Sequence, residues 1–235
     1  RGKGRRNRKQ KSCTVLLSNI RGFRSKQTSL NNLLKSVCPT VCSYNETLLT
    51  GKNKVEHDGY LSFSLNRKGK QGGGVSTSVR QELRDYTVLA GEGKGEEEYL
   101  ITRLECYSPP LTIVNSYGEQ EKVGKEEQEE RWGRLRKEME DIRARGELCL
   151  LLGDQNKHVG SDHLGVEGNH SRVSRGGHLV RELLATGDWF MVNSMGREVV
   201  EGGPFTRQDP ATGELSCLQL FIVSKELKPF VRKLF

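Results

Sequence analysis

Residues 148–156 read LCLLLGDQN, an apolar run that ends abruptly in a glycine and three polar residues. A short apolar run bounded by a turn residue is typical of a buried strand. Polar residues at a strand end are held by rigid backbone and can project into a cleft. The stretch therefore predicts a central strand over residues 148–152, with Asp154 and Asn156 in a site at its polar end.

Three further predicted strand ends carry polar side chains. Asn19 lies in SNIRG (residues 18–22), Glu46 in NET (45–47) and Gln219 in SCLQLF (216–221). Metal-assisted phosphodiester cleavage needs hard oxygen ligands for Mg²⁺, a group that holds or deprotonates water, and donors for the phosphate. Glu46 is a candidate for the principal metal ligand, and Asp154 for the group that serves the water. Asn19 and Asn156 offer amide oxygens and donors, although each element taken alone is more often a turn or a helix cap.

Apolar runs alternate with segments of helical period along the rest of the chain, which indicates a mixed α/β fold with sheets in its core. The longest predicted helix, residues 125–145, is charge-rich and has one apolar stripe that includes Trp132 and Met139. Two shorter helices are predicted over residues 28–37 and 177–186. Strands are predicted over residues 14–18, 40–44, 60–66, 73–79, 99–105, 111–116, 148–152, 189–193 and 217–223.

The composition favours one domain and a polyanionic partner. A chain of 235 residues is compatible with a single large core, and its net charge of +8 attracts phosphates. Residues 1–11 (RGKGRRNRKQK) are almost entirely basic and polar, so we expect a disordered arm there, ahead of a domain over residues 12–235. A solvated tail or localisation signal is an equally good interpretation of that arm.

The cysteine pattern and the hydropathy exclude several classes of protein. None of the six cysteines forms a CxxC pair, so neither a zinc site nor a disulfide framework is indicated. No apolar run is long enough to span a membrane. We therefore expect a protein with reduced thiols and no membrane partner.

Several motifs occur in an order that resembles a known family. They are SNIRGF at Asn19, the ET pair at Glu46, GGGV at 72–75, IVNSY ending at Tyr117, LLGDQN at Asp154 and Asn156, PFTR at 204–207, and the strand 216–224. In this order the motifs resemble the apurinic-type endonuclease domain of non-long-terminal-repeat (LINE-like) retrotransposons, a branch of the exonuclease–endonuclease–phosphatase superfamily.

The resemblance implies a four-layered α/β sandwich of two packed mixed sheets flanked by helices. It implies that Glu46 binds the metal, Mg²⁺ with Mn²⁺ as the alternative, with support from Asn19. Asp154 then serves the nucleophilic water, and Asn156 and Tyr117 contact the phosphate. Thr206 and Arg207 would lie at the DNA-binding edge, and Arg21 would either add a phosphate contact or weaken metal binding.

The function implied by the resemblance is nicking of double-stranded target DNA in the nucleus. The 3′-hydroxyl that is left would prime a reverse transcriptase module of the same polyprotein. A phosphatase of the same superfamily is disfavoured, because ET, GGGV and PFTR match the retrotransposon branch.

Two departures from the family pattern predict an impaired enzyme. Gln219 stands where relatives carry an aspartate that orients a C-terminal histidine, and a neutral amide cannot stabilise an imidazolium in the same way. The family's closing Ser-Asp-His has no counterpart at the end of this chain, so the domain is expected to lack its C-terminal end. The alternative function is therefore a catalytically silent DNA-binding module of the same fold.

Overall fold

The computed structural model describes residues 12–68, 72–94, 96–118, 123–160, 173–196, 198–201, 206–208 and 215–235. The predicted basic arm, residues 1–11, lies outside the described residues. The helices are α1 (Phe23–Val37), α2 (Lys125–Ala144) and α3 (Arg175–Ala185). The strands are β1 (Val15–Asn19), β2 (Val41–Asn45), β3 (Tyr60–Leu65), β4 (Val75–Arg80), β5 (Thr87–Glu92), β6 (Glu98–Leu104), β7 (Leu111–Tyr117), β8 (Leu148–Asp154), β9 (Trp189–Met191), β10 (Arg207–Gln208), β11 (Leu215–Ser216) and β12 (Gln219–Ser224).

Two mixed sheets form the centre of the molecule. The first has four strands in the order β1-β2-β4-β3, and the second has six in the order β5-β6-β7-β8-β12-β9. Each sheet contains one parallel pair, β1 with β2 and β7 with β8, while the other pairings are antiparallel. A parallel pair needs a crossover connection, and α1 and α2 supply the two crossovers.

The layers follow from which face of each element is apolar. The two sheets pack together through residues such as Val41, Val79 and Leu152, all fully buried. On the outer face of the first sheet, α1 buries Phe23 and Leu30. The outer face of the second sheet is covered by the apolar stripe of α2 and by α3 (Trp132, Leu135, Met139, Ile142, Val180 and Leu183). The predicted four-layered sandwich is confirmed.

A buried histidine lies in the packing of α1 against the first sheet. His57 is ringed by Phe23, Tyr44 and Tyr60, with ring centroids 5.3 to 6.4 Å away, and its Nδ1 lies 2.7 Å from Asn31 Oδ1. Burial lowers the pKa of His57 below its usual 6.5, and the nearby Asp58 only partly opposes this effect. The neutral imidazole is therefore the form that stabilises the fold.

Several predicted boundaries were wrong, for identifiable reasons. α1 begins at Phe23 rather than at residue 28, because Phe23 packs on the same buried face as Leu30 and Leu34 although the residues between are mostly polar. The strand predicted over 189–193 ends at Met191 and continues as a 3₁₀ turn. β5 was missed because it is an edge strand whose residues 88–90 are exposed, so it shows little hydrophobic alternation. Among the described residues, none of the helices is both long and apolar enough to cross a lipid bilayer.

Candidate active site

The ends of both parallel pairs meet at one edge of the sandwich. β1 ends at Asn19 and its neighbour β2 ends at Asn45, and these two residues are register partners. In the second sheet β7 ends at Tyr117 and β8 at Asp154. The Asp154 N–H donates to Asn45 Oδ1 at 2.7 Å, so the two sets of strand ends are in direct contact. The predicted clustering of strand-end polar residues is therefore present in the structure.

Two carboxylates converge on one amide at this edge. Asn19 Nδ2 donates to Glu46 Oε1 at 2.8 Å and to Asp154 Oδ2 at 2.7 Å. These residues are 27 and 135 positions from Asn19 along the chain. Asp154 is buried, whereas Asn19 and Glu46 are half-buried and face the edge of the sandwich. The pair of like charges is thus held together by a shared donor.

Tyr117 completes the cluster. Its hydroxyl donates to Glu46 Oε1 at 2.9 Å. Burial raises the pKa of Tyr117 well above its usual range, and the negative charge of Glu46 raises it further. The phenol therefore stays protonated at physiological pH and is a permanent hydrogen-bond donor in the site.

An ion pair between the half-buried Arg67 and the buried Glu98 lies beside this phenol. The Arg67 guanidinium is 5.9 Å from the centre of the Tyr117 ring and pairs with Glu98 through Nε (3.1 Å) and Nη2 (2.5 Å). Glu98 also accepts the N–H of Gly74 at 2.7 Å. In the sequence Arg67 opens a basic, glycine-rich stretch, RKGKQG at 67–72, and nothing there connects it with Tyr117.

Asn156 lies beside the cluster in a tight turn. Its side-chain Nδ2 donates to Gly118 O at 2.9 Å, and its backbone N–H donates to Asp154 Oδ1 at 3.2 Å. Both bonds orient the loop after β8, and the predicted phosphate contact of Asn156 stays a prediction.

Three site residues have left-handed backbone conformations. The φ angles are +44° for Arg21, +52° for Glu46 and +50° for Asn156. Such conformations are unfavourable for residues other than glycine, by about 1–3 kcal/mol each, and they cluster at functional sites. Surrounding hydrogen bonds hold Glu46 in place: Gly22 N–H donates to Glu46 O at 2.8 Å.

The side chains of the cluster fit a hard divalent cation. Glu46 and Asp154 provide carboxylate oxygens, the ligand type that Mg²⁺ and Mn²⁺ prefer. Asn19 directs its Nδ2 at both carboxylates, and a turn of this amide would present its oxygen, a further suitable ligand, in place of the nitrogen. Within the described ranges there is no group of three or more His, Cys, Asp or Glu side chains that could hold a metal. A zinc-type centre is therefore not among the described residues, whereas a two-carboxylate site completed by an amide and solvent is chemically reasonable.

Gln219 lies directly across from Asp154. The two are register partners in the antiparallel pair β12–β8, and opposed residues project on the same face of a sheet. The half-buried side chain of Gln219, a neutral amide, therefore lies on the same face of the sheet as Asp154. The main chain of Gln219 is fixed on both sides, by Asn193 Nδ2 on its carbonyl (3.1 Å) and by Thr206 Oγ1 on its N–H (3.1 Å).

The three residues predicted to bind DNA differ in the contacts that they make. Arg21 is exposed, and its backbone N–H donates to Asn19 Oδ1 at 3.3 Å, so its backbone is bonded directly to a residue of the cluster. Thr206 is exposed but uses its hydroxyl to cap the start of β12, accepting the N–H of Leu218 at 3.0 Å. Arg207 pairs with Ser216 in the short β10–β11 ladder. Their contacts with DNA stay predictions.

Comparison with known proteins identifies the fold. No family model and no curated protein sequence matches the chain. Among solved structures, the apurinic (AP) endonuclease LMAP from Leishmania major is similar at a TM-score of 0.72 and 16% identity, over 93% of this chain and 80% of that one. The endonuclease domain of TRAS1, a telomere-specific non-LTR retrotransposon, is similar at 0.66 and 15%, over 93% and 88%. The 3′ phosphatase NExo from Neisseria, bound to a product DNA hairpin, gives 0.66 and 16%, over 93% and 89%.

These likenesses define the class of protein. The chain has an AP-endonuclease-like fold, an α/β sandwich found in nucleases and phosphatases that act on DNA. At this level of identity the likeness extends to the fold alone, so the chemistry has to be argued from the side chains.

Proposed function

We propose that this chain is a divalent-metal-dependent endonuclease domain that nicks double-stranded DNA, at a rate lowered by Gln219. The observation that carries the proposal is the convergence of Glu46 and Asp154 on the Asn19 amide, at the edge where the strands of both sheets end. Carboxylates so close together repel one another, by about 3 kcal/mol at a separation of about 5 Å and an effective dielectric constant of about 20. A site that holds them together is therefore suited to a cation.

Each residue has a distinct role in the proposed reaction. Glu46 and the amide oxygen of Asn19 would hold the cation, and Asp154 would orient a water molecule and accept its proton. Tyr117 donates its single O–H to Glu46 Oε1 and, with DNA bound, would turn this O–H to a phosphate oxygen. When bound, the cation supplies positive charge that offsets the charge developing on the phosphate oxygens.

The products follow from which bond breaks. The water oxygen forms a bond to phosphorus as its proton passes to Asp154, the bond from phosphorus to the 3′ oxygen breaks, and that oxygen takes up a proton from solvent. The nick then carries a 5′-phosphate and a free 3′-hydroxyl, the end that a polymerase can extend.

We further propose that this nick primes reverse transcription in a non-LTR retrotransposon. The motif order in the sequence and the likeness to the TRAS1 domain support this role. The partner would be a reverse transcriptase module of the same polyprotein, working on nuclear DNA. The net charge of +8 supports a nucleic acid as partner.

Nicking of supercoiled plasmid tests the proposal. We expect open-circle product with Mg²⁺ or Mn²⁺ and none with EDTA. Glu46→Ala should abolish it, while Glu56→Ala, an exposed glutamate in the following loop, should leave it unchanged. Cleavage that survives in Glu46→Ala, or in EDTA, would exclude this site.

One observation favours a second function, a silent DNA-binding module. Gln219 places a neutral amide where a carboxylate would face Asp154. If that departure has removed catalysis, the chain should bind duplex DNA in a salt-dependent manner without cleaving it, and Gln219→Asp should restore some metal-dependent nicking. Equal nicking by the unaltered chain and by Gln219→Asp would eliminate this alternative.

A further inference from the structure

Two buried asparagines cross the interface between the sheets directly behind the site. Asn45, the last residue of β2, and Asn115 in β7 are both fully buried. Asn45 Nδ2 donates to Asn115 Oδ1 at 3.1 Å, so the two amides form a bridge from one sheet to the other. The interface around them is otherwise built largely from apolar side chains such as Val41, Val79 and Leu152.

Asn45 is bonded next to both carboxylates of the site. It immediately precedes Glu46, and its Oδ1 accepts the backbone N–H of Asp154 at 2.7 Å. Its Nδ2 also lies 3.4 Å from Ser116 O, at the end of the strand that carries Tyr117. One amide, itself at the end of β2, therefore contacts the backbone at two of the other three strand ends that build the site.

Asn115 anchors this bridge. Its Nδ2 donates to Ser76 O at 2.9 Å, with longer approaches to Tyr44 O and Thr77 Oγ1, both 3.4 Å. The amide of Asn115 is thus fixed by β4 and β2 of the opposite sheet while its backbone belongs to β7. Both amides satisfy their polar atoms only when the two sheets meet in one relative position.

The free-energy cost of burying unpaired amides favours one relative position of the two sheets. A buried amide that loses its partners is destabilised by about 1–3 kcal/mol, so sliding one sheet against the other is penalised at both residues. A single buried polar pair can specify register in an otherwise apolar interface, at the expense of some stability.

We propose that Asn45 is a positioning residue that sets the separation of Glu46 from Asp154, and hence the geometry of the metal site. This inference rests on the proposed function. Asn45 does not contact the substrate: it acts by fixing the backbone of Asp154 relative to the strand that leads into Glu46. Changes to groups that orient metal ligands typically weaken metal affinity or activity by about 10- to 100-fold.

The test compares Asn45→Ala with a control that loses a buried hydrogen bond at the other end of β7. Thr112 is fully buried and donates to Glu147 Oε2 at 2.5 Å, so Thr112→Val provides that control. Three quantities are measured on the full chain: hydrogen exchange of the Asp154 backbone amide, the Kd for Mn²⁺, and plasmid nicking.

We expect Asn45→Ala to lose protection at the Asp154 amide but not at Leu151, and to raise the Kd for Mn²⁺ by about 10- to 100-fold. The kcat of nicking should fall while KM for DNA stays constant. Thr112→Val should lose stability without a change in Kd for Mn²⁺. If Asn45→Ala does not fold, Asn115→Ala replaces it, since that variant removes the anchor but keeps the Asn45–Asp154 bond, and we expect a smaller rise in Kd.

The outcomes separate this inference from the proposed function. If the unaltered chain binds Mn²⁺ and nicks DNA, and the asparagine variant shifts the Kd no more than Thr112→Val does, the inference is overturned and the function stands. If the unaltered chain neither binds Mn²⁺ nor nicks DNA, the proposed function fails. In that case the exchange of the Asp154 amide still decides whether Asn45 holds the strand ends together.

Discussion

Glu46 combines a functional side chain with an unfavourable backbone conformation, and two substitutions separate the two properties. Glu46→Ala and Glu46→Gly both remove the carboxylate, and with it the bonds to Asn19 and Tyr117. They differ in backbone freedom, because the φ of +52° at this position is unfavourable for alanine but not for glycine.

The size of the difference follows from that conformation. A left-handed residue with a Cβ is disfavoured by about 1–2 kcal/mol, and the greater freedom of glycine in the unfolded chain offsets about 0.5–1 kcal/mol of this. Glu46→Gly should therefore be more stable than Glu46→Ala by about 0.5–1 kcal/mol, since the lost side-chain bonds are the same in both. For a domain of this size, 1 kcal/mol corresponds to about 2–4 °C in Tm.

Urea unfolding in EDTA measures this difference, and plasmid nicking in Mg²⁺ measures the functional loss. Both variants should lose nicking by more than about 100-fold. Glu140 in α2 serves as the control position, because it is exposed and helical, and there the order should reverse, with alanine about 1 kcal/mol more stable than glycine. Glu46→Ala as stable as Glu46→Gly would refute the strained backbone, and nicking retained in either variant would refute the metal-ligand role.

Three other predictions concern single residues. Tyr117→Phe should fold normally but lower nicking about 10²-fold, because it removes the phenolic donor to Glu46. Quantitative nicking assays at pH 7 check this, and unchanged nicking would contradict it. The pKa of His57 lies below 6.5 in the folded protein, so its contribution to stability is complete above pH 6.5 and is lost as the pH falls below that value. The urea midpoint should therefore drop more between pH 7 and pH 5 in the wild type than in His57→Gln. Equal drops in the two proteins would contradict this. Gly153→Ala should lose more than about 3 kcal/mol of unfolding free energy, because a Cβ there would lie 1.7 Å from Ser116 O and the φ of the residue is +144°. The control Gly133→Ala lies in α2 with open space around it and should gain about 1 kcal/mol. Thermal melts of the two variants must shift in opposite directions.

The sequence determined the fold class and most of the cluster. Apolar runs that end in polar residues are a local signal, and they located Asn19, Glu46 and Asp154 at the ends of β1, β2 and β8. The alternation of apolar strands with amphipathic helices was sufficient to predict a mixed α/β fold with sheets in its core, because helices and sheets with one apolar face must cover one another. The four-layered sandwich was implied only by the resemblance of the motif order to a known family.

The contacts between distant segments were decided only by the tertiary structure. In the sequence Asn45 is notable only as the neighbour of Glu46, and neither its bond to Asp154 nor the bridge through Asn115 has any local signal. Arg67 beside Tyr117 is a further example, since the strand pairings and the packing of the two sheets bring these residues together. Hydrophobic periodicity reports which face of an element is buried, whereas the partners of a buried polar group depend on the register between sheets, which is fixed only when the whole chain packs.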